Sequence, residues 1–169
     1  TEGVHTVTVT DINNCIGTGS VTILQPAAAA ASASVIQHVS CAGNNNGSAK
    51  VTSTGLPGPI TYLWDNLETT QTATMLNAGM HTVTVSGGNG CSELANVLIT
   101  EPAPANATIT ILQNVSCFGG MNGSAIVTST GIPGPTYLWD NLETTQTATM
   151  LNVGVHSVTV TGTNGCQAV

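Results

Sequence analysis

The 169-residue sequence predicts an all-β fold made of tandem β-sandwich repeats that together form a rod. The period of about 75 residues is that of one small domain per repeat. Two observations carry this prediction. Long stretches recur at a nearly constant offset, and each recurring unit contains short segments of alternating apolar and polar residues, separated by glycine and proline. Alternation with a period of two is typical of strands with one buried face. Regular short strands with turn residues between them favour a small sandwich.

The repeats are identical over part of their length. Segment 67–77 recurs without change at 142–152, and the flanking segment 46–49 recurs at 122–125. Segment 1–26 matches the ends of the two later copies. We therefore expect the chain to be a window on a longer tandem array of equivalent units. The predicted domains are the C-terminal part of a repeat with strands F and G (1–26), a complete β-sandwich repeat (27–102) and a nearly complete β-sandwich repeat (103–169).

Each complete repeat has room for six or seven strands, labelled A to G. Alternation is strictest in strand F, where Val83 and Val85 share one face. The alanine-rich start of strand A favours helix by composition, but its counterpart at 105–112 alternates as a strand does. Trp64 and Trp139 fall on strand C, where immunoglobulin-like sandwiches bury a tryptophan, and are predicted core residues. The predicted strands of the complete repeat are A (about 30–39), B (48–54), C (61–65), a short D/E pair (67–76), F (80–86) and G (92–100).

Charged residues are scarce in this chain. It has one Lys or Arg, Lys50, against eight Asp and Glu, which gives a formal net charge of −7. Nucleic acid is excluded as a partner, because binding phosphates requires a basic surface that this chain cannot form. No stretch reaches the roughly 18 consecutive apolar residues of a spanning helix, so no membrane span is expected in this segment.

Four motifs of the third copy carry a resemblance to a known family. They are Val-Ser-Cys-Phe-Gly-Gly-Met-Asn-Gly-Ser-Ala (115–125), Thr-Tyr-Leu-Trp (136–139), Val-His-Ser-Val-Thr-Val (155–160) and Asn-Gly-Cys (164–166). This pattern resembles the SprB-type repeat of giant cell-surface adhesins in gliding Bacteroidetes, and it is similar to PKD-like immunoglobulin modules. The resemblance extends over all three copies. It implies a PKD-like fold, export by type IX secretion, an extracellular cell-surface location, and a role in adhesion, filament formation or gliding motility.

The five cysteines recur at two positions of the repeat, one after strand A and one after strand F. The extracellular location implied by the resemblance favours disulfides. In an immunoglobulin-like sandwich the A–B and F–G loops lie at opposite ends of strand F, roughly 20 Å apart, whereas a disulfide requires Cα atoms within about 7 Å. We therefore favour a bridge between repeats, Cys41–Cys166, with Cys15 and Cys91 pairing upstream of the chain and Cys117 downstream. Pairing within repeats, Cys41–Cys91 and Cys117–Cys166, is the alternative.

Other recurring polar residues are weaker site candidates. Asp65 and Glu68, with Asp140 and Glu143 in the next copy, could supply part of a calcium site. A solvated polar turn is the favoured interpretation, so no metal and no cofactor is expected. The recurring histidines have no Ser, Asp or Cys at a consistent place beside them, so we predict no catalytic site and no enzymatic activity. These histidines, at the start of strand F, are His5, His81 and His156.

The sequence therefore favours a mechanical function. We expect a structural repeat segment, acting as the stalk of a long cell-surface adhesin or extracellular filament, whose partners are neighbouring repeats of the same chain. The alternative is an array of modules that bind glycans or proteins multivalently. Sugar binding calls for exposed aromatic rings, and only Phe118 is a candidate, with Ala42 as its counterpart. A self-assembling filament of separate chains is a further alternative.

Overall fold

The computed structural model describes residues 1–169 and is entirely β, which confirms the predicted fold class. The strands pair into five small antiparallel sheets. The structure contains no helix that could cross a membrane. The fourteen strands are β1 (Gly3–Thr10), β2 (Ile16–Ile23), β3 (Ala30–Gln37), β4 (Gly47–Thr54), β5 (Thr61–Trp64), β6 (Thr72–Leu76), β7 (Gly79–Ser86), β8 (Ser92–Ile99), β9 (Asn106–Gln113), β10 (Gly123–Thr130), β11 (Thr136–Trp139), β12 (Thr147–Leu151), β13 (Val158–Thr161) and β14 (Gln167–Ala168).

Strands β3 to β8 form a unit that we call the first sandwich. One sheet has the order β3-β4-β6 and the other the order β5-β7-β8. Alternating residues of both sheets meet in one core, because the period of two directs every second side chain inward. Val83 and Val85 of β7 are fully buried, and Trp64 of β5 is almost fully buried beside them.

Strands β9 to β14 form the second sandwich, with sheets β9-β10-β12 and β11-β13-β14. Its core repeats that of the first, with Trp139, Val158 and Val160 at the positions of Trp64, Val83 and Val85. The last two strands are much shorter than their counterparts. Strand β13 has four residues where β7 has eight, and β14 has two where β8 has eight.

Segment 1–26 contains a two-stranded sheet, the β1–β2 hairpin. Its strands pair without interruption from Gly3 with Ile23 to Thr10 with Ile16. Every residue of both strands is exposed.

The predicted D/E strand pair is wrong. The structure has one strand there, β6, and residues 67–71 form a turn. The backbone N–H of Trp64 donates to the carbonyl of Glu68, and the N–H of Thr74 donates to both carboxylate oxygens of Glu68. These hydrogen bonds use the segment's polar groups within the turn, so no second strand forms. The predicted strands A, B, C, F and G agree with β3, β4, β5, β7 and β8 to within about two residues.

Candidate functional site

The two sandwiches are joined by a disulfide between Cys41 and Cys166. Cys41 lies in the loop between β3 and β4, and Cys166 lies in the loop between β13 and β14. The Cα atoms are 5.6 Å apart, and 125 residues separate the two cysteines in sequence. This is the inter-repeat pair of the sequence analysis. The alternative pairing within repeats is absent, since Cys91 and Cys117 are both exposed free thiols, as is Cys15.

Side-chain amides shape both loops of this junction. In the first loop, the amide of Asn46 accepts from the backbone N–H of Ser40 at 3.0 Å and donates to the hydroxyl of Ser40 at 2.7 Å. In the other loop, the Asn164 oxygen accepts from the N–H of Cys166 at 3.2 Å. The Asn164 Nδ2 then donates to the Ser40 carbonyl at 3.0 Å, across the junction. The junction therefore combines a covalent bond with a directional hydrogen bond.

The same two loops recur elsewhere in the chain without a partner. Asn122 holds Ser116 in the second sandwich with the same pair of hydrogen bonds, at 3.0 and 2.8 Å, beside the free Cys117. The Asn89 oxygen accepts from the N–H of Cys91 at 3.1 Å, as Asn164 does for Cys166. Both halves of the junction thus have the same internal hydrogen bonds whether or not they are paired.

The second recurring arrangement is an aspartate–histidine pair. Nδ1 of His81 lies 3.1 Å from both carboxylate oxygens of Asp65, and its Nε2 lies 3.0 Å from the carbonyl oxygen of Asn77. His156 and Asp140 repeat the arrangement at 3.0 and 3.2 Å, with the Asn152 carbonyl 3.1 Å from Nε2. Both ring nitrogens face acceptors, so only the protonated imidazole donates both hydrogen bonds.

Hydrogen bonds raise the pKa of His156. The carbonyl of Asn152 raises the pKa of His156 most, the carboxylate of Asp140 raises it further, and partial burial opposes them. When protonated, the ring connects the end of strand β11 with the turn after β12. In that state both ring nitrogens donate hydrogen bonds, so neither is free to accept a proton or bind a metal. The arrangement is therefore suited to holding the turn in place.

Sequence reasoning missed these pairs and was wrong that no aspartate stands consistently beside the histidines. Asp65 and His81 are 16 residues apart, and so are Asp140 and His156. This constant spacing was the available signal. It was missed because the two residues lie on different strands and meet only when strand C packs beside strand F.

The four candidate calcium ligands all face donors of the protein. Asp65 and Asp140 contact the histidines. Glu68 accepts from the Thr74 N–H and the Asn66 amide, and Glu143 does the same with the counterpart residues. No group of three or more His, Cys, Asp or Glu that could hold a metal ion is formed.

The aromatic residues offer little surface for stacking. Trp64 and Trp139 are buried, and their ring N–H groups donate to the carbonyls of Thr70 and Thr145 at 3.0 and 2.9 Å. Phe118 is fully exposed at the tip of its loop. Its counterpart Ala42 has no ring, so the exposed aromatic does not recur.

Comparison with known proteins gives a match to a repeat family. No curated protein matches the chain. The model of the SprB repeat matches residues 33–69 and 106–144. Each match begins on the first strand of a sandwich and runs through the tryptophan strand into the turn that Glu68 or Glu143 stabilises. One match falls in each sandwich, so both sandwiches are similar to the SprB repeat.

Proposed function

We propose that this chain is a structural segment of a long cell-surface adhesin or extracellular filament, where it acts as a stalk for attachment or gliding. The observation that carries the proposal is the Cys41–Cys166 bridge, which ties one repeat covalently to the next. The SprB repeat matches support a location on the surface of a Bacteroidetes cell, reached by type IX secretion. A disulfide fits that oxidising location.

The proposal extends to the rest of the array. The repeat boundaries at 26/27 and 102/103 would be the joints of the stalk. Cys117 and Cys91 carry the two loop types of the existing junction, with the same internal hydrogen bonds. In a longer array, Cys91 and Cys15 would pair with cysteines upstream of the chain, and Cys117 would pair with a cysteine downstream of it. Every repeat would then be bridged to both neighbours.

The stalk needs no catalysis, and we propose that the chain has no enzymatic activity. A multivalent glycan-binding array is less well supported, because the tryptophans are buried and Phe118 does not recur. The proposal includes surface glycans and other filament chains as further partners. They would bind at sites that do not depend on exposed aromatic rings.

Non-reducing peptide mapping of the native array by mass spectrometry tests the bridging. The digestion needs a protease other than trypsin, because Lys50 is the only basic residue. We expect Cys41 and Cys166 in one linked peptide, and Cys91 and Cys117 in bridges to adjacent repeats. A linked Cys41–Cys91 peptide would contradict the proposal, because each repeat would then be an independent bead.

Glycan binding by recombinant arrays of one, two and four repeats separates the stalk from the binding array. If the array is a stalk, we expect no glycan binding at any repeat number. We also expect antibodies to residues 27–102 to label intact cells, because the stalk lies on the cell surface. Affinity that rises steeply with repeat number would instead establish a multivalent binder.

A further inference from the structure

The two sulfur atoms of the junction each lie beside a carbonyl group of the opposite sandwich. Sγ of Cys166 is 3.2 Å from the carbonyl oxygen of Ser40. Sγ of Cys41 is 3.9 Å from the carbonyl oxygen of Asn164. A disulfide sulfur has no hydrogen to donate, whereas a thiol is a weak donor. Reduction of the bridge therefore creates two S–H groups that already face acceptors across the junction.

The hydrogen bond from Asn164 crosses the junction independently of the sulfur atoms. Its Nδ2 donates to the carbonyl of Ser40 at 3.0 Å. That oxygen has two lone pairs, so it can accept from Asn164 and from the Cys166 thiol at the same time. Oδ1 of Asn164 accepts from the N–H of Cys166 at 3.2 Å, which holds the amide in this orientation. Neither contact of the amide involves a sulfur, so both remain available when the bridge is reduced.

The start of the linker between the sandwiches holds the loop that contains Cys41. Oε2 of Glu101 accepts from the N–H of Gly43 at 2.7 Å. Glu101 comes directly before Pro102, where the chain passes from one sandwich to the next. A hydrogen bond to a charged carboxylate is stronger than one between neutral groups. The position of Cys41 is therefore restrained by a contact other than the bridge.

The two sulfur atoms differ in their accessibility to solvent. Cys166 is only 4% exposed, whereas Cys41 is partly exposed. In thiol–disulfide exchange the rate depends on which sulfur an external thiolate can reach. Cys41 is therefore the sulfur that exchanges with small molecules, and Cys166 is the one that is released and closes the bridge again.

We propose that the junction stays assembled when its disulfide is reduced, so that the same two cysteines are rejoined on oxidation. Asn164 is the positioning residue, because its amide connects the Ser40 carbonyl to the loop of Cys166. The bridge is then a reversible part of the junction, which opens and closes while the repeats stay in contact. This inference rests on the Cys41–Cys166 contact and not on the proposed role of the array as a stalk.

Closing the bridge requires an oxidant, and oxidised glutathione, a low-molecular-weight disulfide, supplies it. The Cys41 thiolate attacks one sulfur of oxidised glutathione, which forms a mixed disulfide and releases one glutathione thiolate. The Cys166 thiolate then attacks Sγ of Cys41, forms the protein bridge and releases the second glutathione thiolate. Two cysteine thiols are oxidised, one oxidised glutathione is reduced to two glutathione molecules, and the two cysteine protons pass to them.

The equilibrium with glutathione measures how closely the reduced junction holds its two thiols. The test uses the full chain with its exposed free thiols replaced, Cys15→Ser, Cys91→Ser and Cys117→Ser. Alkylation and mass spectrometry give the bridged fraction in mixtures of reduced and oxidised glutathione, and hence the effective concentration of one thiol at the other. We expect about 1 M or more, against the millimolar values of groups joined only by a short flexible linker.

Asn164→Asp tests the positioning residue in this background. The carboxylate keeps an acceptor for the N–H of Cys166, but it places an oxygen against the Ser40 carbonyl where Nδ2 donated. We expect the effective concentration to fall about tenfold or more, because a hydrogen bond is replaced by a repulsive contact. Asn89→Asp is the matched control, because Asn89 accepts from the N–H of Cys91 in the same way but lies away from the junction. It should change the effective concentration by less than about twofold.

Two single-cysteine variants test the difference between the sulfur atoms. With oxidised glutathione, Cys166→Ser is expected to form the mixed disulfide on Cys41 quickly. Cys41→Ser is expected to form it on Cys166 at least about tenfold more slowly, because that thiol is buried.

A millimolar effective concentration before Asn164 is changed would overturn the proposal, because the reduced sandwiches would then be held only by their linker. So would equal effects of Asn164→Asp and Asn89→Asp, or a mixed disulfide that forms as fast on Cys166 as on Cys41. None of these results would contradict the stalk, which depends on bridges between repeats in the native array.

Discussion

Protonation acts on the stability of this protein through the His156–Asp140 pair. The Asn152 carbonyl, and then Asp140, raise the pKa of His156 in the folded state. A raised folded-state pKa means that the stabilisation is fully present below the unfolded value of about 6.5 and is lost as the pH rises through the folded value. We expect the free energy of unfolding to decrease as the pH rises above about 6.5, and His156→Gln to flatten that decrease.

Urea unfolding of the full chain at several pH values measures this effect. Asp140→Asn is the graded control, because it keeps the hydrogen bond from His156 to Asn152 and should retain part of the pH dependence. A His156→Gln variant with the unmodified pH dependence would show that the pair does not contribute.

Residue-scale prediction from sequence succeeded for side chains whose role depends on local pattern. The alternation around Val83 and Val85 predicts that both are buried, and the position of Trp64 on strand C predicts that it lies in the core. All three are buried in the structure. The partner of His81 depends on how two strands pack, which no local pattern contains. The roles of Glu68 and Glu143 were obscured for the same reason, because their acceptor function depends on a turn closing on Thr74 and Thr149.

Among the elements, strand B depends on a glycine at its end. Gly55 has φ = 71°, and a Cβ there would overlap with the carbonyl oxygen of Ala28. Gly131 repeats both features, with φ = 70° and the same overlap with the carbonyl oxygen of Pro104. This turn lets strand B pass close to the start of strand A.

Gly55→Ala is expected to lower the free energy of unfolding of the first sandwich. The left-handed backbone alone costs an L-residue about 1–2 kcal/mol, and the overlap with the Ala28 carbonyl adds to that cost. Denaturant unfolding measures the loss. Gly17→Ala, on β2 with no atom within 4 Å of the added methyl group, is the control and should change stability by less than about 0.5 kcal/mol. Equal effects of the two substitutions would contradict this account.

Strand lengths mark the limit of element prediction. The pattern at 155–160 predicts a strand as long as β7, yet β13 begins only at Val158. The residues that pair with the first half of β7, Asn96–Ile99, have no counterparts within the given 169 residues. The alternation of apolar and polar residues indicates which face of a strand is buried. It does not indicate whether a neighbouring strand is present to pair with it.

At the scale of the whole molecule, the disulfide decides how the chain carries load. A force applied at the two ends reaches Cys41 and passes directly to Cys166 through the bridge. The backbone between them, which contains most of both sandwiches, is thereby removed from the path of the force. Loop positions predicted this pair because the A–B and F–G loops lie at opposite ends of each sandwich and meet only between neighbours.

Single-molecule pulling of the full chain by its termini makes this load path measurable. With the bridge intact, the 125-residue span cannot extend, so the final length is set by the residues outside it. Adding a reductant should release roughly 400–450 Å more, since an extended residue spans about 3.3–3.6 Å. A variant with Cys41→Ser and Cys166→Ser should show the full extension without reductant, together with the separate unfolding events of the two sandwiches. If the oxidised chain and this variant extend equally, the bridge does not carry the load, and the sandwiches act as independent units in series.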